Sequence, residues 1–136
     1  MDKLSNKSVV AQSLNAFRKA DLASILKIFP PECLIVSVRE GDRKGGQLHG
    51  SYRTRKQAKN FLTNIIDLFD TKEFHVETIM DSEKNVVYAN GTFTHKVKAT
   101  GKLFYSTWVQ RCIIQEGMIK EYRFYEDSAA YEKAAV

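Results

Sequence analysis

The stretch from Gly101 to Ala130, GKLFYSTWVQRCIIQEGMIKEYRFYEDSAA, constrains the fold more than any other. It reads as two long β-strands, Leu103 to Ile114 and Met118 to Tyr125, meeting at the tight turn Gln115-Glu116-Gly117. Both are rich in aromatic and β-branched residues, and both are too long to be surface ribbons. Such strands form the centre of a sheet, and the earlier segments have to cover it. Any pocket takes much of its wall from them.

The earlier chain supplies that cover. A first helix starts at Ser5 or Ser8 and runs to Lys19, with Val10, Leu14 and Phe17 on one stripe. Asp21 has the chemistry of an N-cap for a second helix carrying Leu22, Ile25, Leu26 and Phe29. Pro30-Pro31 stops that helix, since proline offers no N–H. Cys33 to Val38 reads as a strand buried on both faces, and the glycine-broken stretch Arg39 to Gly50 reads as a loop. A third, longest helix begins near Thr54, where Thr54 and Gln57 have capping-box spacing. Its broad apolar face predicts that it lies across the sheet. From Lys72 the period becomes two, with Phe74, Val76, Thr78 and Met80 sharing one face. Val86 to Val97 is the next strand, and Asp127 caps a short closing helix, Ser128 to Lys133. The order is α-α-β-α-β-β-β-β, an α+β chain ending in a four-strand antiparallel meander.

Composition narrows the function classes. At 136 residues the length predicts one domain, 1–136, with a substantial core. No apolar run is long enough to span a membrane, and MDKLSNKSVV lacks the apolar run of a secretory signal. Cys33 and Cys112 each sit in an apolar run and read as free, buried thiols of a cytoplasmic protein. The net charge of +5 concentrates between Arg39 and Lys59. Only Tyr52 offers a stacking surface there, so a solvated loop and helix face are preferred to a nucleic-acid footprint. The three histidines lack metal-ligand spacing, and the glycines lack a phosphate-loop pattern, so neither metal nor cofactor is implied.

The order of elements and several motifs resemble the NTF2-like superfamily, and within it the SnoaL-like, ketosteroid-isomerase-like proteins. The carrying residues are Phe17 to Leu22 (FRKADL), His49 to Tyr52 (HGSY), Thr100 to Lys102 (TGK), Glu116 to Ile119 (EGMI) and, most specifically, Tyr122 to Ala130 (YRFYEDSAA). The resemblance covers nearly the whole chain. It implies a cone-shaped, curved antiparallel sheet wrapped around a long helix, a pocket at the wide end, and a homodimer through the outer sheet face. It does not imply one activity. The places of the ketosteroid isomerase tyrosine, base and protonated aspartate hold Ser13, Ser37 and either Val109 or Gln110. The places of the limonene-epoxide-hydrolase arginine and aspartates hold Gly91, Phe93 and Phe124. Neither constellation is complete.

Other residues carry the candidate site. His95 shares a strand face with Phe93 and, by analogy, looks into the cone as a general base or proton donor; the plainer reading leaves its edge in water. Trp108 is placed to stack on a flat ligand and Gln110 to hold a carbonyl or hydroxyl, against a plain role in the core. Tyr122, Phe124 and Glu126 alternate on the last strand. Glu126 would be a base if buried, but its position predicts an exposed rim. His49 and Tyr52 flank the mouth, His75 faces away, and Asp127 is structural. Two functions follow: a pocket protein for a small apolar, polycyclic or polyketide-like molecule with isomerase- or cyclase-type chemistry, or a non-catalytic dimeric module holding a protein or RNA.

Overall fold

The computed structural model describes residues 5–136. Helix α1, Asn6–Arg18, starts at Ser5, whose hydroxyl accepts the Ser8 N–H at 3.1 Å. It stops in a Schellman turn: Asp21 N–H donates to the Ala16 carbonyl and Ala20 N–H to the Phe17 carbonyl, with Ala20 left-handed at φ +54°. Asp21 then caps α2, Leu22–Ile28, by accepting the Ser24 N–H and hydroxyl. Strand β1, Leu34–Ser37, is followed by β2, Gly50–Arg53, and by α3, Thr54–Leu68. The meander is β3, Phe69–Asp81; β4, Val86–Val97; β5, Leu103–Gln115; and β6, Met118–Glu126. Helix α4, Ser128–Ala135, closes the described chain, its N-terminus capped by Asp127 through the Ala130 N–H.

The strands form one sheet in the order β2-β1-β6-β5-β4-β3. As expected, β5 and β6 are central. Helix on one side and curved sheet on the other make this an α+β fold. No helix among the described residues is long and apolar enough to cross a membrane.

Four expectations are corrected. Gly50–Arg53 is a strand, where the loop was expected to run to Gly50 and no strand was expected before the helix; it carries no apolar run, and pairing with β1 alone makes it one. The sheet is mixed, because β1 runs parallel to β6. The helix that crosses the sheet is α1, which touches β3, β4, β5 and β6, while α3 packs on β2, α2 and the start of β3. The α3 face buries only Ala58, Phe61 and Leu62 fully, so it seals one flank. Finally, β3 begins at Phe69 and shifts register between Val76 and Thr78. That bulge inserts a residue and exchanges the faces beyond it. Ile79 therefore packs on the core and Met80 is exposed.

Candidate functional site

An apolar cavity of about 60 Å³ lies between the helices and the inner sheet face. Its wall is mainly apolar and rich in aromatic rings, with Phe17 of α1, Phe61 of α3, Phe74 of β3, and Tyr122 and Phe124 of β6 among the lining side chains. An outer groove of about 550 Å³, between α1, the end of α3 and the start of β3, shares Phe17, Ile25, Ile65, Phe69 and Phe74 with it. The groove is thus the antechamber of the cavity. The sizes matter. An apolar cavity of roughly 150 Å³ admits benzene, so the inner chamber accepts only a slim group without rearrangement.

Strand register sets the polar groups. Ser37 of β1 is the partner of Phe124, and Phe124 is the partner of Gln110 of β5. These three form one row across the inner face, and at roughly 4.8 Å per strand Ser37 and Gln110 stand about 10 Å apart. Gln110 is 1% exposed, its amide nitrogen reaches the Cys112 thiol at 3.5 Å, and its Oε1 has no partner among the described residues. A buried carbonyl oxygen left without a donor costs about 1–3 kcal/mol. The alternative between Val109 and Gln110 is resolved here: Val109 is 46% exposed on the outer face. Ser13 and Ser37 also line the cavity. The Ser13 hydroxyl donates to the Val10 carbonyl, whereas the Ser37 hydroxyl has no partner among the described residues.

His95 lines the cavity and is buried, with its ring stacked between Phe69 at 4.6 Å and Phe93 at 4.2 Å. Its Nδ1 meets the Thr71 hydroxyl at 2.9 Å. Burial pushes its pKa down to about 4, so the ring is neutral at pH 7. A histidine this weakly basic is poorly matched to proton abstraction near neutrality. It acts as a hydrogen-bonding wall, and its edge is not in bulk water.

Glu126 is not at an exposed rim. Its side chain is 5% exposed and lines the cavity, and its Oε1 meets His49 Nε2 at 2.9 Å, the His49 side chain being 13% exposed. The fold turns the last residue of β6 inward beneath the loop that precedes β2. Tyr52 pins that loop: its hydroxyl donates to the Leu48 carbonyl at 2.7 Å and accepts from Asn64 at 3.1 Å. The Arg43 guanidinium lies over the Tyr52 ring at 3.4 Å. Gly50 is required beside it, since φ is +139° and a Cβ there would lie 2.3 Å from Arg43 Cγ.

Of the residues anticipated from sequence, His95, Gln110, Tyr122, Phe124 and Glu126 line the cavity. Trp108, Phe93 and Tyr52 do not; they pack behind it. Trp108 stacks on Phe74 at 5.1 Å and on Phe124 at 5.5 Å, and its Nε1 donates to the Thr92 carbonyl. The His49–Glu126 pair was not foreseen, because nothing local links a loop histidine to a glutamate at the far end of the chain. Cys112 is fully buried, with its thiol pushed up to about 12 by desolvation, which leaves no thiolate to react. In the basic stretch, Arg43 serves Tyr52, and Arg55 Nε donates to the Phe29 carbonyl at 2.8 Å. No group of three metal-ligating side chains lies together among the described residues.

No family model matches the sequence, and no curated protein matches it. Solved structures do. An NTF2-like protein from Burkholderia thailandensis superposes with a TM-score of 0.84 at 18% identity, covering 98% of this chain and 99% of its own. An NTF2-like protein from Burkholderia xenovorans gives 0.80 at 18% identity, over 96% and 95%. TerC, in a structure co-crystallised with polyporic acid, gives 0.77 at 18% identity, over 96% and 97%. At these identities the likeness establishes an NTF2-like fold.

Proposed function

We propose that this chain uses its NTF2-like fold to bind a small, mainly apolar molecule, whose slim end enters the inner chamber while its bulk rests in the groove. The observation that carries this reading is the enclosed aromatic cavity holding an unpartnered Gln110 oxygen. A protein built only to pack a core has no use for an orphaned amide there. Phe74 and Phe124 supply apolar contact, and Gln110, Ser37 and Tyr122 offer hydrogen bonds at separate points. A polycyclic body finds room only in the groove. Binding is favoured over isomerase- or cyclase-type turnover, because His95 is a weak base and Glu126 is held by His49. The structural neighbour TerC, co-crystallised with polyporic acid, supports this reading.

The test is native mass spectrometry of the protein as purified from a cell extract, beside Ser13→Phe, which fills the chamber. The expected result is a retained mass of a few hundred daltons, roughly what such sites hold, absent from the variant. Retention by both would place the molecule elsewhere. An empty wild-type protein whose Trp108 fluorescence responds to no small apolar compound would defeat the reading.

The outer sheet face supports a second proposal, a homodimer. Leu103 (65% exposed), Tyr105 (61%), Val109 and Tyr125 form an apolar field, and Asn90 Oδ1, beside Val109 in the β4–β5 register, is buried without a partner among the described residues. Light scattering is expected to give twice 15.5 kDa, with the double variant Tyr105→Glu, Val109→Glu monomeric. A monomeric wild type removes the proposal.

A further inference from the structure

The proposed binding role leaves open which chemical class the cavity prefers, and the polar atoms along its wall bear on that choice. Among the described residues, the only charged side chain lining the inner chamber is Glu126, and no lysine or arginine lines it. Glu126 Oε1 is taken by His49, and Oε2 has no hydrogen bond to a described residue. Gln110 Oε1 is a second acceptor without a donor. The Cys112 thiol engages the amide nitrogen, which leaves the oxygen as the unmet group. The site therefore offers one negative charge and two open acceptors, inside walls of aromatic rings whose faces attract cations. An anionic ligand finds no cation in the chamber and meets a carboxylate in a medium that screens poorly.

The groove outside is different. It carries Arg18, Lys72 and Lys98 against Asp70 and Glu73. Lys72 is paired with Asp70 at 2.7 Å, and Lys98 Nζ donates to the Ile66 carbonyl at 2.7 Å. Its cations are partly engaged, and the selective charge is the one inside.

We propose that the cavity selects a slim, lipophilic amine, with the ammonium group held at Glu126 and the apolar body among Phe17, Phe74 and Phe124. This inference rests on the binding reading above and deepens it. An unbranched chain suits a chamber of about 60 Å³ better than fused rings do.

The test uses three matched probes: n-octylamine, n-octanol and octanoate at pH 7.5. The chain's one tryptophan, Trp108, stacks on two side chains that line the cavity, so its emission reports occupancy. The expected order is amine, then alcohol, then carboxylate, with the amine at least about tenfold tighter than the alcohol. Glu126→Gln is expected to bring the amine down to the affinity of the alcohol. Alcohol and amine of equal affinity in the wild-type protein would overturn the charge assignment and leave the pocket standing. Octanoate binding best would overturn it too, placing the head among the groove cations. If none of the three alters Trp108 emission, the pocket reading fails and takes this inference with it. The wild-type series decides these outcomes even should Glu126→Gln fold poorly, which circular dichroism would reveal.

Discussion

Replacing Gly91 by alanine is expected to cost upwards of about 3 kcal/mol, a large share of a typical domain's stability. A Cβ at this position would lie 1.8 Å from the His75 carbonyl oxygen and 2.9 Å from Trp108 Cζ2. Neither neighbour can step aside. The His75 atom is a backbone carbonyl oxygen, fixed in the β3–β4 ladder beside the register shift that follows Val76. Trp108 is wedged between Phe74 and Phe124 and tied to the Thr92 carbonyl. The missing side chain of Gly91 is thus what lets Trp108 lie flat on β4 and support two rings of the cavity wall. Urea unfolding with far-ultraviolet circular dichroism measures the effect. A midpoint within a few tenths molar of wild type would mean that the β3 bulge yields, and would undo this account of the glycine.

Acidification is expected to destabilise the protein through His95. Its pKa falls from 6.5 in the unfolded chain to about 4 in the fold, because the ring is buried between Phe69 and Phe93. Between those values the unfolded chain takes up a proton that the folded chain refuses. Stability therefore rises with pH across this window, is fully present above about 6.5, and is lost as pH drops toward 4. The full contribution is about 3 kcal/mol. Urea midpoints at pH 4.5 and 7.5 for wild type and His95→Phe isolate it. Wild type is expected to lose about 2–3 kcal/mol more than the variant over that interval. Identical pH dependence in the two proteins would show that His95 takes its proton in the folded state.

The two results bear on different levels of the molecule. Gly91 governs whether the sheet can carry its tryptophan, and His95 governs what kind of surface the cavity presents. A neutral imidazole bonded to Thr71 contributes polarity without charge. That leaves the charge of the chamber to Glu126, and ties the amine inference to a feature that the pH experiment probes from the other side.

Local signals were legible without the fold. Ser5, Asp21 and Asp127 were readable as caps because a cap needs only its own side chain and the next turn. Val86–Val97 came out at its predicted bounds because alternation is a local pattern. The Gln115-Glu116-Gly117 turn was readable because Glu116 and Gly117 take φ of +53° and +75°, a left-handed pair that glycine favours. The inward positions of Tyr122, Phe124 and Gln110 followed from the same alternation.

Tertiary structure decided the rest. Alternation cannot announce an inserted residue, so the bulge that sends Met80 outward and Ile79 inward was invisible. Strand β2 has too little apolar content to declare itself and exists because β1 offers it a ladder. Which of two similar helices crosses the sheet depends on chain connections, not on the breadth of an apolar face. Glu126 looked like a rim residue because a glutamate at a strand end usually is one; a loop pinned by Tyr52 covers it and brings His49 to 2.9 Å. Sequence alone therefore determined most of the elements and the inner faces of β5 and β6, through interactions between near neighbours. The charge, size and orphaned acceptor of the cavity arise from contacts between residues far apart in the chain, and only the folded structure brings those together.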